Sequence, residues 1–521
     1  MNPHLIVAPI LIPLVAAVAM LLLPARRRRW ESAIAIASCV LLMLVAAALA
    51  LAADTGGGAS LAYRLGDWPA WVAIVLVADR LSALMLLLAA GLGLATSVFA
   101  SGRWARLGPF FHPLSQFLLM GLNGAFLTGD LFNLFVFFEV LLAASYGLLM
   151  HGSGPERVKA GLHYIVVNLT ASLLFLIGVS LIFGVTGTLN MAMLAERVAS
   201  APPDTRALLH AGAAILGVAF LVKAAAWPMG FWLPGAYDAA SPPVAAMFTI
   251  MTKVGVYAIL RLGSLLFGAE SGGSHGYGAT WLLAAGALTV LAGLAGMLAV
   301  RDLGRLGGYN LVVSAGTLLA ALTFENPAVT AGALYYLVIS TLGAAALFLF
   351  TGVIFGERSD AFAEPPRLEA YDPADDGAFT EEDERAVVIA APVGILSAAF
   401  LGVTLTIAGI PPLPGFLAKV AILAPLTGEL ATWPGALMTT LLISSSLLAL
   451  IALMRAGVQI WWVEAESAPA TIRVVEIVPV AALLALLLAL TVLAQTPLGY
   501  AQRTAAQLHT SSSYAGAVLA Q

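Results

Sequence analysis

"FLVKAAAWPMGFWLPGAY", residues 220–237, sets a lysine and two prolines inside an apolar run. A second stretch, "AGIPPLPGFLAKVAIL" (408–423), combines Lys419 with Pro411, Pro412 and Pro414. Each also carries a Gly-Phe step, at 230–231 and 415–416. Proline removes a backbone donor and clashes with the preceding turn, so both stretches read as broken helices. In hydrocarbon, interrupted backbone persists only where protein or a water-filled cavity surrounds it. Two lysine-bearing breaks at corresponding places in two halves are the mark of a transporter built from repeats.

The rest of the chain supplies the membrane setting. Of 521 residues, 61% are hydrophobic and 10% charged, too little charge to cover a soluble surface. Apolar runs long enough to cross ~30 Å of hydrocarbon recur from end to end. The expectation is an all-α polytopic membrane protein with about fourteen transmembrane helices. The spans are 4–23, 31–53, 80–100, 113–131, 132–150, 160–184, 209–227, 242–266, 280–299, 306–324, 328–355, 386–410, 433–455 and 474–495. The first run is followed by "PARRRRW". A secretory signal has its basic residues ahead of the apolar core, so this is read as a first span. The breaks fall in spans seven and twelve, five apart. An odd offset implies opposite orientation, hence two inverted five-helix repeats, spans 4–8 and 9–13.

This divides the chain into 1–112 (spans one to three), 113–266 (first repeat), 280–455 (second repeat) and 456–521 (last span and tail). "YRLGDWPAWVAIVLVAD" (63–79) is short, alternating and punctuated by Gly and Pro, which suits a hairpin at the membrane face. The acidic segment 356–385 lacks helical apolar periodicity and reads as a cytoplasmic linker. With the N-terminus outside, fifteen basic residues fall on the inner side and six on the outer or near it, which fits the positive-inside rule.

Three basic residues remain: Lys223, Lys253 and Lys419, each within an apolar segment. Only one other lysine exists, Lys159, in a loop; surface charge elsewhere is arginine. Arginine stays charged, whereas a desolvated lysine can release its proton. An intramembrane charge costs at least ~2.5 kcal/mol on insertion scales and is a functional hypothesis by default. "FVFFEVLLAAS" (135–145) adds a carboxylate, Glu139, in the middle of an apolar run. Asp130, between spans four and five, and Asp238, after the seventh, read as structural carboxylates near the interface and as weaker relay or entrance candidates. His163, near the start of span six, is a possible entrance group. The seven histidines show no HExxH spacing, and the single Cys39 makes neither a disulfide framework nor a metal cage. Without CxxC, Walker A or GxGxxG, no cofactor is expected.

Four stretches resemble the antiporter-like membrane subunits of respiratory complex I and of multisubunit Mrp-type cation/proton antiporters. They are "TGDLFNLFVFFEVLLAASYGLL" (128–149), "KAAAWPMGFWLPGAYDAASPPVAAMF" (223–248), "TKVGVYAILR" (252–261) and "RDLGRLGGYNLVVSAGTLLAAL" (301–322). The likeness spans most of 60–460 and is closest to the D-type member of the Mrp/Pha antiporters. It implies a hydrated polar axis: Glu139 as the fifth-helix glutamate, Lys223 as its seventh-helix partner, Lys253 as an eighth-helix relay and Lys419 as a terminal site. Three positions depart from the family pattern. Ser314 stands where many relatives have histidine, Ala344 where some have lysine, and Gly230 where histidine often follows the proline. Between Lys253 and Lys419, water, Ser314, Thr317, Ser340, Thr341 and Tyr335 or Tyr336 would have to form the bridge.

The resemblance implies a proton-translocating component of a Na+ or K+/proton antiporter, not an enzyme. It would sit among other membrane subunits in a bacterial inner (plasma) membrane, in contact with lipid and not with nucleic acid. Two rivals share these residues. One is a proton-pumping component of complex I or a related redox or hydrogenase complex. The other is a structural scaffold, which has no need of three buried lysines.

Overall fold

A computed structural model describes residues 3–24, 28–55, 60–69, 73–361, 391–463 and 473–519. The helices of the N-terminal third are α1 (Ala8–Leu21), α2 (Arg28–Thr55), α3 (Arg80–Ala100), α4 (Phe111–Leu127), α5 (Leu131–Leu149) and α6 (Pro155–Thr186). Then come α7 (Met191–Ala199), α8 (Pro203–Lys223), α9 (Trp232–Ala239), α10 (Pro242–Phe248), α11 (Met251–Phe267), α12 (Ala279–Ala299) and α13 (Leu303–Ala321). The remainder are α14 (Pro327–Ala361), α15 (Ala391–Ala408), α16 (Pro414–Leu423), α17 (Trp433–Val458), α18 (Val474–Val492), α19 (Gln495–Leu508) and α20 (Ser511–Leu519). The 63–79 segment contributes to an antiparallel hairpin, β1 (Leu61–Arg64) with β2 (Val75–Ala78).

Short polar side chains start many of these helices. Asp79 and Ser82 form a capping box on α3. Asp130, Asn190 and Asp302 accept from first-turn amides of α5, α7 and α13. Each satisfies donors that a helix start leaves without partners.

Ten helical stretches among the described residues are long and apolar enough to cross a membrane. The other four expected spans coincide with α1, α4, α13 and α15, which are shorter or more polar. α4 carries His112, Gln116 and Asn123, and α13 carries Asn310, Ser314 and Thr317. Both are nearly enclosed by protein, so their polar groups need not face lipid. The expected linker begins later than 356, because α14 continues to Ala361; residues 362–385 lie outside the described set. The expected tail after the last span is also helical, as α19 and α20.

Neighbour relations recur along the chain. α4 packs on α5, α5 on α6, α6 on α8, and α8 on α11. Likewise α12 packs on α13, α13 on α14, α14 on α15, and α15 on α17. Polar contacts gather at the two ends of the bundle. The hairpin end holds Asp54 with Arg80 and Arg503, Asp79 with Arg261, and Ser512 with Glu270. The opposite end holds Arg103 with Glu476, Arg305 with Asp238, and Arg157 with the Ala239 carbonyl.

Candidate functional site

Glu139 lies midway along α5 and is half-buried. Its Oε1 is enclosed and has no hydrogen-bond partner. An unpaired buried carboxylate oxygen is costly, which marks this position as one that needs a counter-charge or water.

Lys223 is the last residue of α8. A cation there meets the negative end of the helix dipole. Its Nζ donates to Ser172 Oγ at 3.4 Å and lies 5.5 Å from the Phe138 ring centroid. Glu139 acts on it at longer range, and no direct ion pair joins the two. Beside Lys223 is a cavity of about 30 Å3, lined among others by Tyr164, Asn168, Trp232 and Met251. That is room for roughly one or two waters. The buried Trp232 Nε1 has no hydrogen-bond partner.

After Lys223 the chain turns through Ala225, at φ 57°, to Pro228. Gly230 then packs so closely that a Cβ would overlap the Ala225 carbonyl oxygen. This explains why no histidine stands at 230: the turn leaves no space for one.

Lys253 is fully buried, at 0% exposure, in the first turn of α11. Its Nζ donates to Ser314 Oγ at 2.8 Å, and Ser314 donates to Ser340 Oγ at 2.9 Å. Tyr336 faces Ser314 and Thr317. Three elements, α11, α13 and α14, thus meet in a line of hydroxyls starting from one ammonium. Thr341 bonds only within its own helix, to the Leu337 carbonyl. Tyr335 points elsewhere, its hydroxyl donating to the Leu490 carbonyl of α18 at 2.8 Å. Ala344 is buried among apolar neighbours.

Lys419 is buried in α16 and fully coordinated. Its Nζ donates to Ser446 Oγ at 2.7 Å, Ser445 Oγ at 3.1 Å and the Ala408 carbonyl at 3.2 Å. Ala408 ends α15, so the lysine of one half-helix caps the other. Gly409, at φ +72°, makes this possible; a Cβ there would sit 2.9 Å from Lys419 Cδ.

The two breaks are therefore not equivalent. Lys223 closes the half-helix before its break, whereas Lys419 lies in the half-helix after its break. Both broken segments carry a lysine, but on opposite sides of the break. Proline and glycine show where a helix stops, not on which side of the break a charge is useful.

The weaker candidates have visible structural tasks. Asp130 caps α5. Asp238 pairs with Arg305 at 3.0 Å and abuts Gly304 at the start of α13. Burial, then Asp302, raises the Asp238 carboxyl from 3.8 to about 7, against the pull of Arg305. His163 is exposed on α6, its Nδ1 2.9 Å from the Lys159 carbonyl oxygen. No cluster among the described residues could hold a metal ion.

Two buried ion pairs escape a sequence reading. Arg261 and Asp79 form a bidentate pair at 2.5 and 2.7 Å. Arg103 pairs with Glu476 at 2.9 Å. Counting both arginines as surface charge hid them. The available signal was the carboxylate side: Asp79 in "VLVADRLSAL" and Glu476 in "VVEIVPV" are acids among apolar residues.

The family described as NADH:quinone oxidoreductase/Mrp antiporter, TM, matches residues 128–433, more than half of the chain. The chain belongs to that family. It is 48% identical to the D component of a probable K(+)/H(+) antiporter of Rhizobium meliloti (strain 1021), over 99% of this chain and 97% of that one. It is 33% identical to the D component of a Na(+)/H(+) antiporter of Alkalihalophilus pseudofirmus, over 99% of both. A chain in the structure of the Mrp complex from Dietzia sp. DQ12-45-1b superposes with a TM-score of 0.84 at 27% identity, covering 100% of both chains. A chain of respiratory complex I from Thermus thermophilus, at 22% identity and a TM-score of 0.73, covers 98% of this chain and 100% of that one; it shares the fold. The likeness read from the four motifs stands, and these D-type relatives are antiporter components rather than enzymes.

Proposed function

We propose that this chain is the D-type member of a multisubunit Na+ or K+/proton antiporter and carries protons along Glu139, Lys223, Lys253 and Lys419. The observation that supports this most is the Lys253–Ser314–Ser340 line. It joins a fully buried ammonium to two hydroxyls on separate helices, with no carboxylate beside it. A scaffold gains nothing from such a residue, since burying a charge is costly unless it is used. The D-type relatives support antiport over redox-driven pumping; likeness to the complex I chain extends to fold alone.

In this reading the chain spans a bacterial inner membrane fourteen times, N-terminus outside, with two inverted repeats and other membrane subunits as partners. The hairpin end then faces out. Glu139 and Lys223 alternate between a close pair and separate positions. Water in the 30 Å3 cavity fills the space between pairings. A lysine that loses its counter-charge in a desolvated site releases its proton towards the next group. Removing one member of a buried pair leaves a charge worth ~3–5 kcal/mol in soluble proteins, enough to drive a change in hydration or conformation.

The test is exchange in everted vesicles holding the assembled complex, with sodium or potassium supplied separately. Glu139→Ala, Lys223→Ala and Lys253→Ala should each abolish cation-dependent proton movement. Normal exchange by these variants at normal assembly would refute the relay. The cation that supports wild-type exchange identifies the substrate.

A further inference from the structure

Lys253, Tyr257 and Arg261 lie four residues apart on α11, so they form one stripe on one face. Each step rises about 6 Å. The stripe runs from the buried lysine to the hairpin end, where Arg261 meets Asp79. It is a polar line departing from the relay, and the relay does not use it.

A proton wire needs groups that accept and release protons in turn. This stripe has none poised to do so. The Tyr257 hydroxyl donates to the Phe126 carbonyl at 2.7 Å. Arg261 donates to both Asp79 oxygens at 2.5 and 2.7 Å, and to the Tyr257 oxygen at 3.4 Å. A guanidinium does not deprotonate in proteins. Asp79 also accepts from the Ser82 amide. Above them Tyr514 of α20 lies with its ring 5.2 Å from the Arg261 guanidinium carbon and is itself buried. Among the described residues, Arg80 and Arg503 bond to Asp54, and Arg261 bonds to Asp79. A fixed guanidinium charge in such a line excludes protons and cations from a pathway.

We infer that the Asp79–Arg261 pair, with Tyr257 beneath it and Tyr514 over it, is a proton-tight plug between Lys253 and the hairpin end of the bundle. Its task is to deny Lys253 a short cut along α11, so that protons pass on through Ser314. This rests on the relay reading above. A pair that merely ties α3 to α11 would show the same contacts, so the test reads leakage rather than stability.

The assembled complex is placed in proteoliposomes without sodium or potassium, and proton entry is followed after a pH jump. Asp79→Asn with Arg261→Gln removes both charges together, keeping shape and leaving no single charge behind. We expect passive proton entry to rise at least about tenfold, as a barrier lower by about 1.4 kcal/mol gives. Adding Lys253→Ala to the double variant should return entry to the wild-type level. Wild-type leakage in the double variant, or a leak that survives Lys253→Ala, overturns the inference. If the double variant does not assemble, Tyr514→Ala decides in the same assay: a rise that Lys253→Ala cancels supports the plug, and no rise overturns it. Failure of the relay itself would show separately, as retained exchange in Lys253→Ala alone.

Discussion

Ser314→Ala is the most discriminating change to the relay. Ser314 supplies the one hydrogen bond made by the Lys253 ammonium among the described residues. It also hands on to Ser340 at 2.9 Å. A hydrogen bond to a charged group contributes about 1.5–3 kcal/mol. If that bond is made in the transfer step, its loss slows exchange roughly 10- to 150-fold. Water cannot easily take its place. Lys253, Ser314 and Thr317 are all buried, and the lost hydroxyl oxygen leaves less space than the ~30 Å3 a water occupies in the liquid. The assay is cation-dependent proton exchange in everted vesicles, normalised to assembled complex. Ser314→Thr keeps a hydroxyl and should stay near wild type, while Ser340→Ala should fall between the two. Exchange by Ser314→Ala within about twofold of wild type would refute the hydroxyl line, because even the low end of the range predicts more.

Further outcomes follow from other contacts. Gly409→Ala combines a left-handed backbone cost of roughly 1–2 kcal/mol with a Cβ pressed against Lys419; exchange should drop while the complex still assembles, as blue-native electrophoresis would show. Glu476→Ala takes the carboxylate away from the buried Arg103 and should lower the amount of intact complex, consistent with about 3–5 kcal/mol for a broken buried pair. Tyr335→Phe removes only a bond to the Leu490 carbonyl, so exchange should be unchanged and thermal stability lower by about 1 kcal/mol. Asp238 binds its proton more tightly folded than unfolded, so its protonation stabilises the fold at low pH. That stabilisation fades as pH rises from about 4 to about 7. Relative to wild type, Asp238→Asn should therefore gain melting temperature across that window.

What could be read from the sequence depended on the physics of single residues. A lysine in hydrocarbon is conspicuous by itself, so Lys223, Lys253 and Lys419 needed no structure to be found. Proline and glycine announced both breaks, and the helices of the bundle follow from apolar length. Pairings were less legible. Asp79 and Arg261 are 182 residues apart, and nothing local says that one buried arginine answers one buried acid. The orientation of Tyr335 away from Ser314 depends on packing against α18, as does the choice of Tyr336 over its neighbour. The tail was underread because α19 has too little apolar length to suggest a span, although its Tyr500 and Arg503 hold the hairpin end.

The two C-terminal helices also set an order of events. Arg503 bonds to Asp54, Tyr500 to the Arg80 carbonyl, Gln507 to Ser60, and Tyr514 covers Arg261. A ribosome delivers the N-terminal partners first and the residues that fasten them much later. Until α20 emerges, the Asp79–Arg261 pair stands uncovered at one end of the bundle. Chains cut short before α20 would keep the α19 contacts, yet would lack the Tyr514 cover. Synthesis of α20 is thus what closes this end of the bundle.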